Sequence, residues 1–406
     1  MLDFDSFDFF ANLFPLVLVI LPLYRWLKNA VARRLLLSVC GLYLLISIAP
    51  RLALFYVGFW LVVWVLQQVL AATSDHRRAG KYLAVAVFAV LLPMLIWKVD
   101  TATFVIQFNL RFNSLLTYLP GPLTPVDLVR NILLPLGLSF STFRGIDLLI
   151  KTSLGVFGRL PLNEVFFYGF FPPVLLIGPV IQYTEIQKGV EPGRTIVWND
   201  LRVGMLLVAS GLFKIFGVSF FLQNSSDMFV FYGSNAPLTL WFDLVRFALY
   251  FYFNFAGYSD LAIGAAAMLG FTINRNFDWP FTKTNPQAFW NSWHMSLTHF
   301  VQRNVFIPVG GMRRESQYRA IFLSMMVIAL WHNVSIPLIL FGLYHTVGLI
   351  GHRVVAARRP PKPDEGLALV VPKALVQFAF VAVSLPLLVL NSNQLIPFYS
   401  SLMGLQ

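Results

Sequence analysis

Long apolar runs separated by short polar or basic connectors recur from one end of the chain to the other. Runs at about 12–28, 34–49, 52–72, 81–98, 101–118, 127–151, 163–183, 200–222, 236–256, 257–272, 319–335, 336–353 and 367–391 approach the roughly 17–25 residues a bilayer-crossing helix needs. The pattern predicts an all-α polytopic membrane protein with about 11–13 transmembrane or re-entrant helices. The runs at 101–118 and 257–272 are short or carry Gln107, Asn109, Arg111 and Asp260, and are expected to be re-entrant or tilted inside the protein. Two longer connectors, 187–200 and 358–366, hold Pro and Gly that stop helices and should be exposed. No fixed-period repeat is present, and no connector is long enough for a soluble domain. Residues 1–406 are therefore expected to form one integral membrane domain.

Composition agrees with lipid as the main solvent: 58% of the 406 residues are hydrophobic, 12% are charged, and the mean hydropathy is +0.71. A net charge of +12 would suggest nucleic-acid binding in a soluble protein. Here the Arg and Lys residues fall in short connectors, as positive-inside bias requires, and no nucleic-acid partner is expected. That bias predicts cytoplasmic "YRWLKNAVARR" (Tyr24 to Arg34) and "SDHRRAGK" (Ser74 to Lys81), with the Pro50–Arg51 turn and the N-terminus on the far side. The opening "MLDFDSFDFF" lacks a basic n-region and cleavage site, so the first helix is expected to be retained. The single cysteine, Cys40, excludes an internal disulfide and reads as a small core or lipid-facing residue.

Polar chemistry concentrates in "NFAGYSDLAIGAAAMLGFTINRNFDWPF" (Asn254 to Phe281) and "FWNSWHMSLTHFVQRNVFIPVGG" (Phe289 to Gly311). An ionisable residue at membrane depth, such as Asp260 or His294, is costly unless it faces a cavity or a partner. Asp260 reads either as a functional residue or as the hydrogen-bond partner of a broken helix end. If Trp293 to Arg303 is helical, His294, Thr298 and Gln302 share one face, and His299, about 500° further round, points elsewhere. That spacing differs from the paired histidines of HExxH, so no metal site is expected. A second cluster is "ALWHNVSIPLILFGLYHTVGLIGH" (Ala329 to His352), where His332 precedes Asn333 and Pro337, a helix breaker. His332 reads either as an interhelical hydrogen-bonding group or as a proton acceptor. His345 is intramembrane as well, and His352 lies beside Arg353 at an interface.

In order, "GLSFSTFRGIDLLI", "FFPPVLLIGPVIQY", "GLFKIFGVSFFL", the Asn254 segment, the Phe289 segment and "LWHNVSIPLILFGLYH" resemble the membrane-bound O-acyltransferase family. The resemblance is to the bacterial branch that holds alginate O-acetylation and teichoic-acid D-alanylation proteins. It covers about residues 80–355, with transmembrane helices in 1–79 and a loop and helix in 356–406. It implies a ring of helices around a central catalytic tunnel. His332 matches the histidine of the family's "LWHG" motif and His294 the polar residue of its "WH-S" motif, whereas Asn333 stands where glycine is usual. Asn291, Ser296, Thr298, Gln302 and Arg303 would then line the cavity, with Asp260 and Asn333 as further binding or oxyanion candidates.

The implied reaction is acyl transfer from a cytoplasmic thioester, acyl-CoA or a phosphopantetheine carrier protein, to a hydroxyl of an envelope polysaccharide, polymer or relay protein. His332 is the expected general base, with His294, Asn291 or Asn333 stabilising the oxyanion or holding the donor. No bound cofactor is expected, and no motif marks an activated serine or cysteine, which favours direct transfer. The basic "GGMRRESQYR" (Gly310 to Arg319) reads as topological charge or as a dock for an acidic carrier protein. The branch implies a bacterial inner membrane. A rival reading, a flippase for a lipid-linked substrate, lacks paired halves with matching broken helices. A non-catalytic scaffold has no need of both His294 and His332.

Overall fold

The computed structural model describes residues 20–48, 50–98, 137–191, 196–224, 237–332, 334–358, 367–390 and 392–405. The predicted span at 101–118, the first parts of those at 12–28 and 127–151, and Asn333 lie outside the described residues. The described residues are mostly helical and contain no strand. Six of their helices are long and apolar enough to cross a membrane. The chain divides into two compact units, Met1–Val208 with Leu261–Ile273, and Ala209–Asp260 with Asn274–Gln406.

The first unit contains α1 (Ala30–Ile48), α2 (Pro50–Ala71), α3 (His76–Lys98), α4 (Leu138–Ser153), α5 (Leu162–Gly169), α6 (Tyr183–Gln187) and most of α7 (Trp198–Leu212). α4 packs on α2 and α3, and α1 on α2 and α5. The outer faces carry exposed apolar side chains such as Leu54, Val85 and Phe88, as expected of a lipid-facing surface. Cys40 is buried.

The predicted span at 163–183 is not one helix. α5 stops at Gly169, a single 3-10 turn covers Pro172–Val174, and the chain then runs irregularly to α6. Pro172, Pro173 and Pro179 lack amide hydrogens, and Gly178 adopts φ 136°. Irregular backbone at membrane depth survives only where protein satisfies its polar groups. Arg144, fully buried, does much of this: its guanidinium donates to the carbonyls of Tyr168 at 2.8 Å and Gly169 at 3.2 Å. Tyr168 in turn donates to the carbonyl of Ile181 at 2.8 Å.

The second unit holds a π-helical stretch, Phe213–Ser219, then α8 (Phe220–Asn224), α9 (Pro237–Met268, shared with the first unit), α10 (Pro286–Trp290), α11 (Met295–Val301) and a second π-helical stretch, Gln302–Phe306. It continues with α12 (Gln317–His332), α13 (Ile336–Arg358), α14 (Leu367–Ser384) and α15 (Ser392–Leu402). The spans expected at 236–256 and 257–272 are one continuous helix, α9, of 32 residues, roughly 48 Å long. The polar stretch that suggested a break serves packing instead. A Cβ on Gly257 would lie 2.7 Å from Ile215 Cγ1 and 3.0 Å from the Gly211 carbonyl oxygen, so glycine there admits a close neighbour. The run at 367–391 ends its α-helix at Ser384, followed by a 3-10 turn, Leu385–Leu388. Leu240, Leu244 and Phe247 of α9 pack with Ala382, Leu385, Phe398 and Leu402 as a core.

Candidate active site

The segment from Asn276 to His294 brings α9, α10 and α11 together. Asn285 caps α10 by accepting from the Ala288 N–H at 2.8 Å, and Pro286 occupies the first turn. After α10 the chain tightens: Ser292 Oγ donates to the Ala288 carbonyl at 2.8 Å, and Trp293 N to the Phe289 carbonyl at 2.8 Å. His294 then takes a left-handed conformation, φ 44° and ψ 53°. For a residue with a Cβ this costs roughly 1–2 kcal/mol. Such outliers gather at functional sites.

His294 is buried, at 3% exposure. Its ring meets Phe255 edge-on at 4.7 Å and Trp331 at 5.7 Å, and Trp331 leans on His332 at 4.5 Å. His294, His332, His345 and Ser384 line one cavity of about 30 Å³ whose remaining wall is aromatic and aliphatic, including Phe251, Phe255, Phe289 and Trp293. His332 reaches it as the last residue of α12.

His345 sits opposite, on α13. Trp290 Nε1 donates to its Nδ1 at 3.4 Å, and Nε2 lies 2.9 Å from Ser384 Oγ, which itself donates to the Val381 carbonyl at 2.6 Å. An indole N–H only donates, so Nδ1 accepts and Nε2 carries the hydrogen toward Ser384. The pair therefore has the wrong polarity for a serine nucleophile and its base.

The other predicted site residues are placed differently. The cavity wall contains neither Asn291, Ser296, Thr298, Gln302 and Arg303 nor Asp260. Asn291 is exposed at the C-terminus of α10. α11 begins only at Met295, so His294 precedes the helix and does not share a helical face with Thr298 and Gln302. Thr298 turns its hydroxyl back to the Trp293 carbonyl at 3.3 Å, and exposed Gln302 opens the π-helical stretch. Arg303 is half-buried, and Asn333 lies outside the described residues. Ser296 bonds Asn276 behind the histidine. Asp260 caps no broken helix. Its carboxylate meets Lys214 Nζ at 2.5 Å and Ser210 Oγ at 2.9 Å.

Three residues escaped the sequence reading. Asn276, buried, bonds His294, Ser296 and Ser259. His345, expected from the sequence only to be intramembrane, lines the cavity. Lys214 is the only charged residue in the run 203–222, a signal that a partner such as Asp260 is needed. Among the described residues, no group of histidine, cysteine and acidic side chains is placed to hold a metal ion.

Comparison with known proteins gives three relatives of interest. The chain is 28% identical over 257 residues to the probable alginate O-acetylase AlgI of Pseudomonas aeruginosa, covering 62% of this chain and 49% of that protein. It is 27% identical over 201 residues to the peptidoglycan O-acetyltransferase of Helicobacter pylori, covering 47% and 37%. It is 28% identical over 236 residues to the teichoic acid D-alanyltransferase of Bacillus subtilis, covering 54% and 58%. The chain thus spans about half the length of the alginate relatives it matches. Residues 59–382, which include the whole histidine-lined cavity except its last wall residues, match the membrane-bound O-acyltransferase family, and the chain belongs to that family.

Proposed function

We propose that this protein transfers an acyl group from a thioester to a hydroxyl of a bacterial cell-envelope polymer or relay protein, in the cytoplasmic membrane. The observation that carries the reading is the convergence of His294 and His332, from two separate sequence motifs, on one apolar cavity. In the reaction, the hydroxyl oxygen attacks the thioester carbonyl while His332 takes its proton. The tetrahedral intermediate collapses with cleavage of the C–S bond, and His332 returns the proton to the leaving thiolate. Imidazole suits both steps because its pKa lies near working pH. The polarity of His345 and Ser384 favours direct transfer over an acyl-serine intermediate.

The names of the relatives, acetylases and a D-alanyltransferase, favour a short acyl group. The donor is an acyl-CoA or a phosphopantetheine carrier protein. Arg313, Arg314 and Arg319, all exposed, suit an acidic carrier on the cytoplasmic side, with the N-terminus on the other.

The test is acyl transfer by purified wild type and His332→Ala, with radiolabelled acyl-CoA and acyl-carrier donors. Wild-type ester formation that His332→Ala abolishes supports the reading, and the active donor identifies the thioester. Full activity in His332→Ala removes the assigned base. If neither protein consumes any donor while His332→Ala still supports envelope modification in cells, a transporter or scaffold takes its place.

A further inference from the structure

Asn276 is 1% exposed, and its side chain is a hub. Nδ2 donates to Ser259 Oγ of α9 at 3.1 Å. Oδ1 lies 2.8 Å from Ser296 Oγ, 3.2 Å from Ser296 N and 3.2 Å from His294 Nδ1. A backbone N–H can only donate, so the Ser296 amide requires the oxygen of Asn276, not its NH₂, on that side. The oriented amide then decides the imidazole. An oxygen facing Nδ1 requires Nδ1 to carry the hydrogen. Ser296 Oγ, 3.5 Å from Nδ1, directs its own hydrogen at Asn276 and is also an acceptor toward the ring. Neutral His294 consequently bears its lone pair on Nε2.

We infer that Asn276 and Ser296 hold His294 in the Nδ1–H tautomer, so that His294 is a hydrogen-bond acceptor toward His332 and not an oxyanion donor. The role toward His332 rests on the acyl-transfer reading above. When His332 takes the hydroxyl proton it becomes an imidazolium with two N–H donors. A lone pair on the neighbouring ring stabilises that cation until the proton passes to the thiolate, the part a carboxylate plays in a catalytic triad. The two rings line one cavity and flank Trp331. Asn276 is then a positioning residue, acting through His294. Other ionisable groups on the surrounding elements include Asp260, paired with Lys214, Asp243, paired with Arg246, Asp278, paired with Lys283, His345, held between Trp290 and Ser384, and exposed His299 of α11.

Solid-state NMR of the ¹⁵N-histidine-labelled protein in lipid bilayers reads the tautomer directly, with His294 assigned by comparison with His294→Gln. A protonated Nδ1 and bare Nε2 are expected for the neutral ring, and the reverse pattern overturns the inference. In turnover, Asn276→Leu should lower kcat by roughly 10–100-fold with little change in KM for the thioester. Asn276→Asp keeps an oxygen toward Ser296 and His294, and the Ser259 hydroxyl can rotate to donate to it. This variant should recover most of the rate, and its negative charge should move the acidic limb of kcat/KM to higher pH. A purely structural role predicts the opposite order, with the buried carboxylate worse than leucine. Wild-type kcat in folded Asn276→Leu overturns the positioning role. If the wild type transfers no acyl group, the role toward His332 falls with the function, while the NMR signals still decide the tautomer.

Discussion

Removing either partner of the Lys214–Asp260 pair should destabilise the protein more than removing both. Lys214 Nζ lies 2.5 Å from Asp260 Oδ2, with side-chain exposures of 26% and 18%. The gross attraction at that distance is roughly 6–7 kcal/mol at an effective dielectric near 20. Several kcal/mol of desolvation per ion oppose it. What remains after Asp260→Leu is an ammonium with no carboxylate, inside a helix pair whose close approach at Gly257 leaves little room for water. Breaking a fully buried pair costs roughly 3–5 kcal/mol. Discounted for the solvent that reaches a fifth to a quarter of each side chain, the expected loss is about 2–3 kcal/mol. Lys214→Met should cost slightly less, because Asp260 keeps the Ser210 hydroxyl at 2.9 Å.

The double variant Lys214→Met/Asp260→Leu removes both charges and should lose only about 1 kcal/mol, since apolar replacement of a buried pair is often neutral. The assay is equilibrium unfolding by SDS in mixed micelles, followed by tryptophan fluorescence, for the wild type, both single variants and the double. A coupling of about 2 kcal/mol or more between the sites is expected. If the single losses add to within ~0.5 kcal/mol, the charges are independent and the reasoning fails.

Two further outcomes follow from particular positions. Gly41→Ala should destabilise by about 3 kcal/mol, the upper end of overpacking, because its Cβ would meet the Phe170 carbonyl oxygen at 1.9 Å, a backbone atom that cannot step aside. Gly58→Ala, with nothing within 4 Å of its Cβ, should be neutral or stabilising by up to ~1 kcal/mol; SDS unfolding of the two side by side refutes the packing argument if Gly41→Ala behaves like Gly58→Ala. The Asp278 carboxylate accepts a hydrogen bond from Lys283 at 2.8 Å, and that bond holds its pKa below the ordinary value. A depressed folded-state pKa means the tether is complete above the ordinary carboxylate range and is lost as pH falls through the lowered value. Hydrogen exchange of residues 276–283 should rise in that acid window in the wild type, beyond the intrinsic pH effect, and not in Asp278→Asn. An identical profile in both removes the assignment.

The helices recovered from the sequence are those whose signal is simple. α1, α2, α3, α13 and α14 follow apolar runs of bilayer length, and the prolines inside α3 (Pro93) and α14 (Pro372) do not end them. The failures at 163–183 and at 236–272 share one cause: composition does not say what a residue touches. An apolar run reads alike whether it faces lipid as a helix or lies irregularly inside protein, as residues 170–182 do around Arg144. Conversely, Asp260 and Gly257 looked like a helix break. Their partners Lys214 and Ile215, over 40 residues earlier, turn them into packing and pairing groups within a straight run.

Local patterning also misplaced the start of α11, and that error explains why Thr298 and Gln302 do not join His294 at the cavity. A helix from Trp293 onward would stack His294, Thr298 and Gln302 in a row and satisfy its early N–H groups only through a capping side chain. Instead the left-handed turn at His294 delays the helix to Met295, two residues later. The Met295 N–H is then taken by the Asn276 carbonyl at 2.8 Å and the Ser296 N–H by the Asn276 side chain at 3.2 Å. One asparagine, 18 residues upstream of the histidine, thus caps the helix and grips the ring with the same oxygen. Two satisfied N–H groups, each worth roughly 0.5–1.5 kcal/mol, offset the roughly 1–2 kcal/mol of the left-handed residue. Helix capping and imidazole orientation therefore become a single structural requirement. A substitution that spares the fold but not the tautomer, or the reverse, has to separate two functions of one atom, Asn276 Oδ1, which is why the aspartate variant is the informative one.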